Sequence, residues 1–316
     1  MNIVFMGTPD FALETLKAIY NSGHNVLAVV SQPDKPVGRG MKTQMTPTKD
    51  FAVQNDIKVF QPAKIRKNEE FFDELRALKP DIIVVVAYGK ILPEEILNIA
   101  KYGCMNVHAS LLPKFRGAAP IQWAIINGEK VTGITTMKLD KGMDTGDMYL
   151  KEEVAIEPND TYGTLYEKLK KVGGQLAIKT LDMIAEGTVK PKHQGEQFSL
   201  APMIFKDDCK IDFMKSAFAI CNLIRGVNPI PGAWTTLNDT VYKIWNAEEV
   251  SDEDFDDIDG IEHPGTVLKS NDREGLFIST ASGIISVLEI QAPNSKRMNI
   301  CDFLRGKPIK EKSVFK

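Results

Sequence analysis

Three side chains in this sequence could together carry acyl-transfer chemistry. Asn106 and His108 stand two apart, and Asp144 follows 36 residues after the histidine in Asp144-Thr145-Gly146-Asp147. A carboxamide and an imidazole N–H can donate to an oxyanion as it develops, and a carboxylate can orient the ring and help to move a proton. That is the equipment needed to pass an acyl unit from one nitrogen to another. Side chains two apart on a strand share a face, so the amide and the ring can converge at a strand's end while Val107 points the other way. Each residue alone has a plainer reading: a structural histidine, and an aspartate that begins a turn.

The elements that must position these groups alternate along the first half of the chain. Strand signals at 2–7, 25–31, 58–60, 81–87 and 105–108 are interleaved with helical ones at 9–22 and 93–100, the latter with proline in its first turn. The unbroken apolar run at 81–87 suits a strand covered on both faces. This rhythm predicts an α/β, doubly wound, mostly parallel Rossmann-like sheet, whose ligands bind beyond the carboxyl ends of the strands. The run 105–108 ends at His108. Strands at 132–139 and 147–156 and a long helix at 161–186, with Gly173-Gly174 as a candidate break, complete a first domain of residues 1–189. The polar, aperiodic stretch 190–205 reads as a linker. In 206–316 a short helix at 217–225 and strands at 233–237, 241–245, 265–268, 276–280 and 284–290 suggest a small antiparallel barrel.

Several classes are excluded by what the chain lacks. The loop after the first strand reads Gly7-Thr8-Pro9-Asp10, with one glycine and a proline where a dinucleotide pyrophosphate would need GxGxxG; no nicotinamide or flavin cofactor is expected. Cys104, Cys209, Cys221 and Cys301 show neither CxxC nor zinc spacing and read as reduced thiols, Cys104 as a small buried hydrophobe. His24, His193 and His263 read as surface residues, and with no cluster at ligand spacing no metal is expected. A hydrophobic content of 43% with 26% charged residues, no apolar run of membrane-spanning length and no signal-peptide pattern at the N-terminus point to a soluble cytoplasmic protein.

The segment Asn106-Val107-His108-Ala109-Ser110-Leu111-Leu112-Pro113, followed by Asp144, resembles the signature of the 10-formyltetrahydrofolate-dependent formyltransferases. Lys114-Phe115-Arg116-Gly117-Ala118-Ala119-Pro120 continues the likeness. Gly7-Thr8-Pro9-Asp10-Phe11, Gln32-Pro33-Asp34-Lys35-Pro36-Val37-Gly38-Arg39-Gly40, Val84-Val85-Val86-Ala87-Tyr88-Gly89 and Asn228-Pro229 resemble the members of that family that act on methionyl-tRNA. The resemblance implies Asn106, His108 and Asp144 as catalytic residues, with His108 and Asn106 donating to the oxyanion and Asp144 pairing with the ring. It implies that Ser110, Leu111, Leu112 and Pro113 contact the folate, that 10-formyltetrahydrofolate is the formyl donor, and that the second domain is an OB-like barrel. Ala109 stands where the family often has glycine, a small change. The implied acceptor is the amino group of methionyl-initiator tRNA, and the implied enzyme a monomer. The alternatives are a formyltetrahydrofolate hydrolase or a formyltransferase for a small amine, which share the catalytic set and differ in the acceptor.

The net charge of −3 conceals a basic remainder. Residues 206–316 hold 14 Lys and Arg against 18 Asp and Glu, but nine of those acids crowd into 248–262, which reads as a solvated acidic loop. Two basic groups stand out. Lys35, Arg39 and Lys42 lie in a polar, glycine-containing stretch at 33–47 that is long for a strand-to-helix connection; the family resemblance implies that it reaches the tRNA acceptor end. Lys296, Arg297, Arg305, Lys307, Lys310, Lys312 and Lys316 could meet phosphates, with the salt sensitivity that implies.

Overall fold

In the computed structural model, the described residues are 1–37, 42–250 and 263–316. The strands are β1 (Asn2–Gly7), β2 (Asn25–Val30), β3 (Lys35–Val37), β4 (Lys42–Gln44), β5 (Lys58–Phe60), β6 (Ile82–Val86), β7 (Cys104–His108), β8 (Arg116–Gly117), β9 (Val131–Lys138), β10 (Met148–Ala155), β11 (Leu200–Ala201), β12 (Ala233–Leu237), β13 (Thr240–Val250), β14 (Val267–Asn271), β15 (Gly275–Ser279), β16 (Ile284–Gln291) and β17 (Met298–Asn299). The helices are α1 (Asp10–Tyr20), α2 (Pro47–Gln54), α3 (Glu69–Ala77), α4 (Glu94–Leu97), α5 (Pro120–Ile126), α6 (Tyr162–Ala185), α7 (Ala217–Gly226) and α8 (Ile300–Gly306). They form two compact units: residues 1–120, 131–155 and 166–202 in one, and 121–130, 156–165 and 203–316 in the other.

The first unit is built on a seven-stranded sheet ordered β10-β9-β7-β6-β1-β2-β5. β5, β2, β1, β6 and β7 run parallel, and β9 and β10 are antiparallel additions beside β7. The strand order switches between β1 and β6, the place where doubly wound sheets open a crevice, and β7 ends beside it. β1, β6 and β7 are buried almost throughout, and β6 is wholly apolar, as a strand covered on both faces must be. α6 continues through Gly173-Gly174, which the sequence offered as a break. A Cβ on Gly174 would stand 3.1 Å from Ala18 Cβ and 3.3 Å from the Glu14 carbonyl, so the missing side chain lets α6 lie close against α1.

The stretch at 33–47 contains a short antiparallel hairpin, β3 with β4, in which Lys35 pairs with Gln44 and Val37 with Lys42. Its base is anchored. Lys49 Nζ donates to Asp34 Oδ2 at 2.5 Å and to Gln61 Oε1 at 2.7 Å, while Gln61 Nε2 donates to Asp34 Oδ1 and to the Gln32 carbonyl. α2, unmarked by hydrophobic period, starts at Pro47 with Thr46 as its cap. The stretch 190–202 is no free span either. Lys192 exchanges both backbone hydrogen bonds with Met148, and β11 pairs in parallel with β8. His24 is half-buried, with its side chain turned inward rather than exposed; its Nε2 lies 3.2 Å from Asp182, and burial lowers its pKa.

The second unit holds an antiparallel sheet ordered β12-β13-β16-β15-β14, with β17 on β16. The C-terminal residues join its two edges. Lys316 exchanges both backbone hydrogen bonds with Thr236 next to the β12 edge, while Phe315 N–H donates to Gly265 and Val267 N–H to Ser313 beside β14. This closure is the barrel that the strand spacing predicts, and the buried side chains of Ile220 and Ile224 from α7 and Phe303 from α8 belong to its core. The acidic run at 251–262 lies outside the described residues. All four cysteines are free thiols, and burial pushes Cys104 up to about 12.

Hydrogen bonds from Lys49 and Gln61 hold the Asp34 carboxyl below its usual pKa. A depressed carboxylate contributes stability that is fully present above its unfolded pKa of about 3.9 and is lost as pH falls through the folded value. Asp34→Asn is therefore expected to lower the melting temperature at pH 7 and to flatten the fall in stability between pH 5 and pH 3. A variant with the same acid limb as the parent in thermal melts would contradict this.

Candidate active site

β7 delivers two polar side chains to one face at its carboxyl end. Asn106 pairs in register with Met137 and His108 with Thr135, and Val107 points to the opposite face, where its methyl lies 3.4 Å from the position a Cβ on Gly173 would take. Both polar residues are buried, Asn106 at 9% exposure and His108 at 6%. His108 Nε2 lies 3.0 Å from the Phe115 carbonyl oxygen. A carbonyl can only accept, so Nε2 carries the hydrogen in this contact. Nδ1 faces Asp144 Oδ2 at 3.7 Å. That is just beyond direct hydrogen bonding, as often found for catalytic pairs before substrate binds. Among the described residues the Asn106 carboxamide has no hydrogen-bond partner.

Asp144 reaches this place by an unusual backbone. Its φ is +54°, a left-handed conformation that aspartate tolerates better than most residues. The carboxylate accepts the Gly117 N–H at 2.8 Å. Gly117 has to be glycine: its φ is +126°, and a Cβ there would sit 2.6 Å from the Ala201 carbonyl oxygen. Gly146 closes the same turn, and a Cβ on it would lie 1.8 Å from the Lys138 carbonyl oxygen. Gln194 Nε2 donates to the carbonyls of Asp144 at 2.8 Å and Gly146 at 2.7 Å.

The loop after β7 is pinned to β9. Thr135 Oγ1 donates to the Ser110 carbonyl at 2.7 Å and accepts the Leu112 N–H at 3.1 Å. The Ser110 hydroxyl donates to the Lys114 carbonyl at 2.6 Å, the Leu112–Pro113 peptide is cis, and Leu112 packs with Met137 and Met148. Ser110 and Leu112 are thus occupied within the protein, while Leu111 and Pro113 keep partial exposure. Lys151 Nζ donates to the Leu112 carbonyl, and burial lowers its pKa. Tyr88 and Leu92, in the segment that follows β6, belong to the core, and burial pushes the Tyr88 hydroxyl up to about 12.

The structure therefore brings Asn106, His108, Asp144 and the 110–113 loop together. Lys35 is exposed on β3 and the backbone of Lys42 lies on β4, whereas Arg39 lies outside the described residues. Gln194 and Arg116 went unnoticed in the sequence as site residues. Gln194 carries no local signal in a polar stretch, and only the likeness around Arg116 drew attention to that position. Among the described residues no group of three His, Cys, Asp or Glu side chains could hold a metal, and no helix is long and apolar enough to cross a membrane.

Comparison with known proteins places this architecture. Residues 1–181 match the formyl transferase family and residues 203–308 the formyl transferase C-terminal domain family. The chain belongs to the formyl transferase family. It is 51% identical to a methionyl-tRNA formyltransferase of Caldanaerobacter subterraneus subsp. tengcongensis, with 100% of both chains covered. It is 48% identical to one of Clostridioides difficile, with 98% of both covered. Among solved structures it is similar in fold to WlaRD, a sugar 3N-formyl transferase (TM-score 0.65, 22% identity, 94% of this chain and 99% of that one). It also resembles HypX from Aquifex aeolicus in complex with tetrahydrofolic acid (TM-score 0.63, 18% identity, 98% of this chain and 48% of that one).

Gly146→Ala is expected to disrupt the turn that carries Asp144, because the added methyl meets fixed backbone. A loss of stability of about 1–3 kcal/mol and a fall in turnover should appear together in denaturant melts and kinetics. A fully active, fully stable variant would show that the turn is not held as described.

Proposed function

We propose that this protein transfers the formyl group of 10-formyltetrahydrofolate to the α-amino group of methionyl-initiator tRNA, in the cytoplasm, giving N-formylmethionyl-tRNA for translation initiation. The observation that carries this reading is the buried, unpartnered Asn106 amide beside His108 and Asp144 at the end of β7. With no hydrogen-bond partner among the described residues, the amide is free to donate to an oxyanion forming between Asn106 and His108. The formyl donor is a substrate here, so the protein's part is to bind, orient and stabilise.

The acceptor amine attacks the formyl carbon, and the carbonyl oxygen becomes an oxyanion that receives hydrogen bonds from Asn106 Nδ2 and from His108 Nε2–H, which gives up or shares its bond to the Phe115 carbonyl as the negative charge develops. Each such donor contributes about 10²–10³ in rate. The attacking nitrogen loses a proton toward the Asp144 carboxylate, directly or through a water. Collapse of the tetrahedral centre returns the carbonyl and breaks the bond to N10, which takes up the proton that Asp144 received from the amine, directly or through the same water, and leaves as tetrahydrofolate. Leu111 and Pro113 line the folate side through the surface they keep exposed, and Ser110 and Leu112, held inside the protein, fix the backbone of that loop against it. No covalent enzyme intermediate is required.

The tRNA reading rests on the full-length likeness to methionyl-tRNA formyltransferases and on two groups of residues. Lys35, Arg39 and Lys42 belong to the β3–β4 segment, whose arginine suits unpaired bases and phosphates. In the second unit, Lys243 and Arg297 lie over the Trp245 ring at 5.0 and 5.3 Å, and Lys206 and Lys210 over Trp234 at 6.0 and 5.7 Å. Cations beside partly exposed aromatic rings are a common means of gripping nucleic-acid backbone and bases. Two of the C-terminal basic residues are already engaged: Arg297 pairs with Glu289, and Arg305 with Asp302.

Incubation with 10-formyltetrahydrofolate and initiator methionyl-tRNA is expected to yield N-formylmethionyl-tRNA. Release of tetrahydrofolate with formate, or with a formylated small amine, and none on tRNA would move the reading to the alternatives. His108→Ala and Asp144→Asn should each reduce turnover by at least about 10² while tRNA affinity stays within about threefold; undiminished turnover in either contradicts the site. Arg39→Ala should raise the KM for tRNA about tenfold with that for the folate unchanged, the loss of one guanidinium contact; a change confined to the folate KM would contradict the loop's role.

A further inference from the structure

We propose that Gln194 is a positioning residue for Asp144, acting through the backbone of the 144–146 turn, and that Arg116 fixes Gln194 in its working orientation. The inference rests on the reading of Asp144 as part of the formyl-transfer site.

A primary amide offers two hydrogens and one acceptor oxygen, and Gln194 uses all of them. Its Nε2 donates to Asp144 O at 2.8 Å and Gly146 O at 2.7 Å, and its Oε1 accepts Arg116 Nε at 3.0 Å. The residue is 6% exposed, so water offers little substitute for these bonds. One nitrogen bonded to carbonyls two residues apart holds the turn in a single conformation. That matters because Asp144 sits at φ +54°, which surrounding structure must impose. Rotation of this backbone toward an ordinary φ would carry the carboxylate away from Gly117 N–H and His108 Nδ1.

Arg116 decides which way round the amide sits. Reversing Gln194 would aim an N–H at the guanidinium and an oxygen at two carbonyls, so the arginine forbids that rotamer. Arg116 is 7% exposed, and among the described residues no carboxylate lies within ion-pair distance of it. A buried guanidinium without an acid is costly. Its contacts are the Gln194 oxygen and the Phe198 ring, 4.6 Å away. Arg116 and Gly117 together form β8, so one two-residue strand holds Asp144 at both ends. Gly117 N–H takes the carboxylate, and Arg116, through Gln194, fixes the backbone.

The test is steady-state kinetics with 10-formyltetrahydrofolate and methionyl-tRNA on the full chain. Gln194→Ala should lower kcat about 10- to 100-fold, measured well below the lowered melting temperature that loss of three buried hydrogen bonds brings, with both KM values within about twofold. Gln194→Glu, isosteric but unable to donate to two carbonyls, should lose at least as much. In an Asp144→Asn background, Gln194→Ala should cost less than about threefold more, because residues that act as a unit are not additive. An unchanged kcat for the single variant, a loss confined to KM, or an equal loss in both backgrounds would overturn the proposal. If Gln194→Ala does not fold, Arg116→Lys, which keeps the charge and loses the planar fork, carries the same kcat expectation, and parental kcat there would overturn the role of Arg116. An active Asp144→Asn enzyme would instead withdraw the reading of Asp144, which separates that failure from this one.

Discussion

The site depends on one constraint: polar side chains buried at the end of a central strand must find partners in the protein or in the substrate. His108 meets it with the Phe115 carbonyl and the nearby Asp144 carboxylate. Asn106 does not, and its amide is left for something that binds. The buried strands on either side of β7 make this possible by limiting the access of water, which strengthens each polar contact that remains. A rigid sheet then sets the spacing between amide and ring, so that little reorganisation is needed when charge develops.

Asp144 is supplied differently. It comes from a turn, and turns are held only as well as their hydrogen bonds allow. Its support comes from segments distant in sequence: the Gly117 N–H, the Gln194 side chain and the return of 190–202 to pair with β8 and Met148. Thr135 does the same service for the loop that follows His108, receiving one N–H and donating to one carbonyl. In both cases a side chain from a neighbouring element satisfies the backbone that an irregular loop leaves open.

Much of this was legible in the sequence, for reasons that are local. A continuous apolar run announced β6, spacing by two put Asn106 and His108 on one face, and regular turn signals announced the antiparallel sheet at 233–291. What escaped depended on partners far along the chain. Gln194 looks like any glutamine in a polar stretch until the fold brings two carbonyls and Arg116 to it. The β3–β4 hairpin is fixed by Asp34, Lys49 and Gln61, not by an alternating pattern of its own. Gly173-Gly174 reads as a helix break by propensity, yet close packing against α1 overrides that preference. His24 looked exposed in a Gly-His-Asn turn, but its side chain is turned inward toward Asp182 and the N-terminal amine.

The most direct test of the central claim is a crystal structure with a stable 10-formyl folate analogue bound. The account predicts the formyl oxygen within about 2.7–3.1 Å of both Asn106 Nδ2 and a His108 ring nitrogen, with Asp144 on the side open to an incoming amine. A formyl group bound away from β7, with the Asn106 amide still unpartnered, would contradict it.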